Sequence, residues 1–435
     1  MNEDGTNHLR RIGFVSTRIR GTDGVSLEIA KWAEILTRAG HECFFIAGEL
    51  DTPADRSQRI AEAHFLHPVI DAVNQHVFGR ETRDPYITEQ IHEMRWIIKE
   101  KLLTAIRRFD LDLIIAENCL SIPLNIPLGL AVVETVMETG IGCWAHHHDF
   151  PWERERFLVN SASDYLQAAF PPAISQIHHI VINSQAAREF SRRISLPCQT
   201  IPNVMDFDRP PGPPDDYAAD FRAAIGLRPD DILVLQPTRV VRRKGIEHSV
   251  ELIRRLKDPR YRLVITHSAL DEGPRYGDYL RQYADLMGVE LIFADALISH
   301  QRGVAPDGSK QFSIWDAYRS ADLVAYPSTY EGFGNAFLET IYFKKPIVCN
   351  RYAIYRTDIE PYGFKVILMD GFVDQATLDQ VRALEADPDA RQQIVEHNYQ
   401  LGKRFFSYCR VAKELQLILA RTRRLSLGQK EAHPD

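Results

Sequence analysis

Apolar residues gather along the chain in short dense runs, separated by longer segments whose apolar positions recur every three or four residues. In the first half the dense runs are RIGFVST (11–17), ECFFIAG (42–48), LDLIIAEN (111–118), GCWAHHH (142–148) and HIVINS (179–184). Each reads as a strand of a parallel sheet covered by helices. Between the first two lies VSLEIAKWAEILTRAG (25–40), with apolar residues at helical spacing and Gly40 placed as a stop. Strand, helix and strand make one βαβ unit.

The alternation breaks at RPPGPPDD (209–216), whose prolines and glycine continue neither a helix nor a central strand. A second series follows: DILVLQPTRV (231–240), YRLVITHS (261–268), VELIFADAL (289–297), ADLVAYPS (321–328), KPIVCN (345–350) and KVILMD (365–370). The pattern predicts an α/β protein of two Rossmann-like domains, residues 1–208 and 209–405, with parallel sheets facing a central cleft. The charged end SLGQKEAHPD (426–435) is expected to be a disordered tail.

With 435 residues, 45% hydrophobic and 26% charged, the chain has the make-up of an ordinary globular protein with room for two cores. A net charge of −7 gives no general basic field, so neither nucleic acid nor an anionic membrane is an expected partner, and any phosphate must be held locally. The six cysteines are scattered and none forms a CxxC pair, which reads as reduced, buried thiols. The first residues, MNEDGTNHLRR, lack the apolar core of a signal peptide, and no apolar run approaches the roughly 20 residues that span a bilayer. A cytoplasmic location is expected.

Ligands of open parallel sheets sit beyond the carboxyl ends of the strands, so the loops there carry the candidate chemistry. After ADLVAYPS comes EGFGNAFLE (331–339), predicted as a loop of Glu331, Gly332, Phe333 and Gly334 leading into a helix from Asn335 to Phe343. Glycines let backbone approach a ligand, and a helix start favours an anion or polar oxygens. Glu331 in the loop and Glu339 a turn into the helix can face one ligand; on spacing alone, Glu339 reads equally as a solvated helix residue. RVVRRKG (239–245) places Arg239 and Lys244 around the turn after a strand, a planar fork and a mobile point charge suited to a diphosphate. A solvated basic loop is the alternative.

The first strand runs into STRIRGTDGVSLE (16–28), with Gly21 and Gly24 flanking Thr22 and Asp23 before a helix, and Arg18 and Arg20 adding positive charge. No GxGxxG occurs there, which argues against a dinucleotide-dependent dehydrogenase. His146, His147 and His148 are consecutive at a strand end. Side chains alternate along extended backbone, so three in a row do not converge on one metal, and no metal site is expected. One histidine reaching the cleft is the better reading.

Together these stretches resemble glycosyltransferase family 4, the retaining nucleotide-sugar transferases of GT-B fold, over nearly the whole chain. The E-x7-E signature is Glu331 to Glu339, RVVRRKG resembles the family's Arg and Lys pair, and IPNVMDF (201–207) its strand-end IPNGVD stretch. Gly21 and Gly24 stand apart where many members have adjacent glycines. The resemblance implies that Arg239 and Lys244 hold the donor diphosphate, Glu331 the donor sugar hydroxyls and Glu339 the ribose. Gly24, Gly332, Phe333, Gly334 and Asn335 complete the donor site, and His148, or His147 in the neighbouring register, is the active-site histidine. It implies an acceptor-binding N-terminal domain, a donor-binding C-terminal domain and a helix at 406–425 closing back on the first. No cofactor is required, the nucleotide sugar being a substrate; dependence on a divalent metal stays open.

YEGFGNAFLETIYFKKPIVCNRYAIY and RGTDGVSLEIAKW are similar to family members that mannosylate glucosylglycerate. That implies GDP-mannose, or UDP-glucose as the other donor, and a small anionic acceptor held by Arg18, Arg20, Asp23 and His147, with Tyr352 beyond a second-domain strand. The alternatives are a transferase acting on lipid or cell-surface glycans, docking through IHEMRWIIKEKLLTAIRRF (91–109), and a nucleotide-sugar-binding protein or epimerase of the same architecture.

Overall fold

The computed structural model describes residues 10–21, 23–213, 215–268 and 274–431, apart from the side chains of 274 and 423–431. The chain forms two compact units, Met1–Pro202 with Val411–Asp435, and Asn203–Arg410. The division falls six residues before the expected boundary, within IPNVMDF.

The first unit holds a seven-stranded sheet of β1 (Arg11–Ile19), β2 (Glu42–Leu50), β3 (Ser57–Arg59), β4 (Leu113–Glu117), β5 (Gly142–His147), β6 (Ile177–Val181) and β7 (Cys198–Thr200), in the order β3-β2-β1-β4-β5-β6-β7. All neighbours run parallel. Its centre is the most apolar: every residue of β4 is buried, and Ile12, Phe14 and Val15 of β1 are at most 1% exposed. Helix α1 (Gly24–Arg38) covers one face with Ile29, Trp32, Ala33, Ile35 and Leu36, and Asp23 caps its start by accepting from Val25 N and Ser26 N.

The second unit holds a six-stranded parallel sheet of β8 (Ile232–Gln236), β9 (Tyr261–Ile265), β10 (Leu291–Phe293), β14 (Leu323–Tyr326), β15 (Ile347–Asn350) and β16 (Ile367–Met369), ordered β10-β9-β8-β14-β15-β16. A small sheet of β11 (Ile298–Ser299), β12 (Gly303–Val304) and β13 (Lys310–Ser313) lies between. In each large sheet the strand order reverses once, between β1 and β4 and between β8 and β14. A crevice opens at such a reversal because the flanking connections leave on opposite faces.

All eleven dense apolar runs coincide with strands. The strands without a sequence signal are short: β3 and β7 are three-residue edge strands, and β11, β12 and β13 have two to four residues. The helix Pro85–Phe109 buries Ile91, Met94, Ile98 and Leu102, while its Arg95 and Lys99 pair with Glu134 and Glu138 on a neighbouring helix. The last helix runs Tyr408–Glu431, into the stretch expected as a tail, whose residues 432–435 lie outside the described residues. Where it rejoins the first unit, Thr422 Oγ1 lies 3.2 Å from Trp144 Nε1 on β5. All six cysteines are free; four are buried as expected, whereas Cys198 is half-buried and Cys409 exposed. No helix among the described residues is long and apolar enough to cross a membrane.

Candidate active site

In the second unit, β14 delivers the chain to the loop 327–334, and the helix Asn335–Tyr342 starts where Gly334 turns at φ 123°. Only glycine fits here. A Cβ at 334 would stand 2.5 Å from Tyr352 Oη and 3.0 Å from Tyr326 Oη, in a backbone region that other residues avoid. Tyr352 Oη donates to Phe333 O at 2.7 Å, so this buried tyrosine braces the loop from behind. No side chain caps the helix, which suits its first amides to an oxygen-rich ligand. Asn203 Nδ2 donates to Asn335 Oδ1 at 2.8 Å, tying IPNVMDF to the helix start.

Glu331 is 7% exposed, and a carboxylate so buried needs compensation. It comes from the turn after β8. Lys244 Nζ donates to Glu331 Oε1, and Arg243 Nη1 lies 3.1 Å from Oε2. Burial pushes the Glu331 carboxyl up, but Lys244 and Arg243 outweigh it and hold it below the ordinary carboxylate range. Burial in turn lowers the Lys244 ammonium from its usual value. Gly245 makes the approach possible, because a Cβ there would stand 2.6 Å from Pro327 O.

Arg239 is exposed, and its charge is felt at Lys244 and at His267 beyond β9. Burial, then Lys244 and Arg239, bring His267 down to about 4, so the imidazole is neutral at pH 7. Glu339 is half-buried and accepts from Tyr318 Oη at 2.8 Å. This cluster offers preorganised cations to a diphosphate and carboxylate oxygens to hydroxyl groups.

In the first unit, the chemistry sits at the β1/β4 reversal. Glu117 ends β4, is fully buried and lies beside His146 in the strand register. Its Oε2 is 3.0 Å from His146 Nδ1 and 3.2 Å from His148 Nε2. Burial raises the Glu117 carboxyl, yet the two imidazoles bring it down to about 2. Burial wins at His146 and lowers it; at His148 the contact with Glu117 wins, with help from Glu28 and Asp149, and raises it. Alternation keeps His147 apart, but it also turns His146 and His148 to one face, where Glu117 meets both. Among the described residues these three form a group that could hold a metal ion, with ligand atoms within 4.8 Å of one another. The three consecutive histidines do not converge, in line with the alternation, but Glu117 from the neighbouring strand joins two of them.

Several predicted acceptor residues have other tasks in the structure. His147 is 1% exposed, with Nδ1 2.6 Å from Ser121 Oγ and Nε2 2.9 Å from His179 Nδ1. Tyr352 supports the glycine loop. Asp23 caps α1 and pairs with Arg18 at 3.1 Å, and Arg20 pairs with Glu49 at 2.5 Å. Gly24 is the first residue of α1. Sequence reasoning missed Arg243, Tyr318, His267 and Glu117. Arg243 stands beside Lys244 within RVVRRKG, and a glutamate closing the apolar run LDLIIAEN was the available sign of Glu117.

The family profile of glycosyl transferases group 1 matches residues 218–401. The chain is 32% identical to the mannosylglucosylglycerate synthase of Thermotoga maritima, over 91% of this chain and 96% of that one. It is also 32% identical to the enzyme of the same name from Petrotoga mobilis, over 82% and 86%. Among solved structures, sucrose-phosphate synthase from Thermosynechococcus elongatus superposes with a TM-score of 0.64 at 17% identity, covering 95% of this chain and 98% of that one. Anabaena HepE in complex with UDP and glucose gives 0.62 at 14%, covering 95% and 100%. With two parallel-sheet domains of this glycosyltransferase fold and relatives matched along nearly its full length, the chain belongs to the group 1 glycosyl transferases, glycosyltransferase family 4.

Proposed function

We propose that this enzyme transfers mannose from GDP-mannose to glucosylglycerate in the cytoplasm, with retention at the anomeric carbon. The observation that carries the reading is the 32% identity, over 91% of the chain, to the Thermotoga maritima mannosylglucosylglycerate synthase. The second unit is the donor-binding domain and the first the acceptor-binding domain. Arg239 and Lys244, joined by Arg243, neutralise the diphosphate; Glu331 takes hydroxyls of the donor sugar; Glu339 takes the ribose. His148 serves as the active-site histidine beside the transferred sugar.

The contacts of Glu331 support an exchange. Lys244 and Arg243 now compensate Glu331, so a sugar diphosphate entering between them replaces an internal ion pair by two external contacts, phosphate on the cations and hydroxyls on the carboxylate. In the reaction the bond from the anomeric carbon to the diphosphate oxygen breaks as an acceptor hydroxyl forms its own bond on the same face. The acceptor proton passes to the departing diphosphate, giving GDP and the mannosylated acceptor. No separate carboxylate nucleophile is needed.

Purified protein supplied with GDP-mannose and glucosylglycerate is expected to release GDP and to form an α-mannoside by NMR. Absence of turnover with this pair, while UDP-glucose or another acceptor reacts, would remove the substrate assignment and leave the family untouched.

A further inference from the structure

Two imidazoles and a carboxylate meet at the β1/β4 reversal, and the geometry points to a divalent transition-metal site of the zinc class formed by Glu117, His146 and His148. The inference is independent of which sugar the enzyme transfers.

The donor set is that of a metal rather than of an ordinary buried ion pair. One carboxylate with two histidines is a common set for zinc, iron(II) and cobalt(II), and three protein ligands leave a position open for water or a substrate oxygen. The spacing is close to what is required. Bonds of about 2.0–2.1 Å in a tetrahedron place ligand atoms about 3.3 Å apart, and Glu117 Oε2 already stands 3.0 Å from His146 Nδ1 and 3.2 Å from His148 Nε2. The whole set lies within 4.8 Å, so a small inward turn of the imidazoles closes it.

The surroundings supply what such a site needs beyond its ligands. His146 is fixed by stacking on Trp32, with ring centroids 4.1 Å apart. Its far nitrogen, Nε2, is buried and has no hydrogen-bond partner among the described residues, and neither has Oε2 of Glu28, a fully buried carboxylate one helical turn before Trp32. The Glu28 charge is felt at both His146 and His148. A metal on Nδ1 of His146 obliges Nε2 to carry the proton, and an imidazole N–H beside a carboxylate is the usual outer support of a metal-bound histidine. A cation on Nδ1 thus fixes the proton on the orphaned Nε2, in the field of the Glu28 charge that reaches His146. It also offsets a second buried carboxylate, of which only Oε1 is engaged, by Lys31 at 2.6 Å. His148, at 11% side-chain exposure, is the open edge through which an ion can enter.

The test is cobalt(II) titration of the full-length protein after chelator treatment. Expected are one equivalent bound, visible ligand-field bands and no thiolate charge-transfer band, with affinity at least tenfold weaker in Glu117→Gln, His146→Gln and His148→Gln and unchanged in Cys409→Ser. His148 is the least buried of the three, so His148→Gln is the variant least threatened by misfolding. X-ray absorption of the wild-type cobalt complex needs no variant at all; it should show two imidazoles, oxygen and no sulfur. Absence of binding, bands unaltered in a folded His148→Gln protein, or sulfur among the ligands would overturn the site.

Discussion

The two units each bury a glutamate at the point where their strand order reverses, and they satisfy it in different ways. In the second unit Glu331 is met by an ammonium and a guanidinium, those of Lys244 and Arg243. In the first unit Glu117 is met by His146 and His148, which can donate a proton, lose it or accept an ion. The first arrangement is a buried ion pair, which the proposed function would have a phosphorylated sugar open. The second is an adaptable set of donors whose state follows its surroundings. Glu117 at the end of β4 and Glu331 in the loop after β14 thus carry different chemistry because the compensating groups differ, although the acid is the same.

Substitutions can break this contrast, and the largest effect is expected at Lys244. Lys244→Met leaves Glu331 buried with half its compensation, which should cost about 3–5 kcal/mol in urea unfolding of the full chain. The double variant Lys244→Met/Glu331→Leu should recover most of that loss; no recovery would mean that the pair is not coupled as described. Glu331→Gln keeps the shape and removes the charge. Turnover is expected to fall about 100-fold or more with circular dichroism unchanged, in the range found for lost transition-state contacts.

A smaller change should come from Tyr318→Phe, which removes one hydrogen bond to the Glu339 carboxylate, worth about 1.5–3 kcal/mol for a charged partner. The variant should weaken nucleotide binding measured by calorimetry if Glu339 is oriented by that hydroxyl. His267 sets a pH signature. Its folded value of about 4 lies below the ordinary histidine value of 6.5, so between these limits the unfolded chain binds the extra proton. Stability is therefore complete above pH 6.5 and lost as pH falls toward 4, with a slope approaching about 1.4 kcal/mol per pH unit. His267→Gln should flatten that slope, as followed by thermal midpoints across the range. The smallest effect belongs to the solvent-facing pair Arg20 and Glu49: Arg20→Ala should shift stability by no more than about 1 kcal/mol.

The placement of Glu331 and Glu339 was legible in the sequence because both lie on one strand–loop–helix segment, where spacing fixes geometry. Glu331 and Glu339 keep their relation whatever the rest of the chain does. Arg239 and Lys244 were singled out from their basic turn and Arg243 was not, although it joins Lys244 at Glu331, because Arg242–Lys244 is a short 3-10 turn that presents neighbouring side chains together. Glu117 was not legible in this way. Its partners are 29 and 31 residues away, and only the β4/β5 register, in which Glu117 faces His146, brings them together. Register depends on pairing across the sheet, which no local pattern states. The same limit hid β3 and β7, whose polar triplets become strands only because an edge offers them hydrogen bonds.

The segments that lead into and out of the second unit run side by side. Met205 N donates to Phe406 O at 3.0 Å, and Met205 bridges Ser407 in parallel. The segments before Asn203 and after Arg410 both belong to the first unit, so residues 203–410 form an insertion whose two ends are already adjacent. Such a module can be cut out and produced alone, or exchanged for that of a relative, by joining at a single paired seam. Under the proposed function, such a transplant exchanges the donor-binding unit as one contiguous gene fragment and leaves the acceptor-binding unit in place.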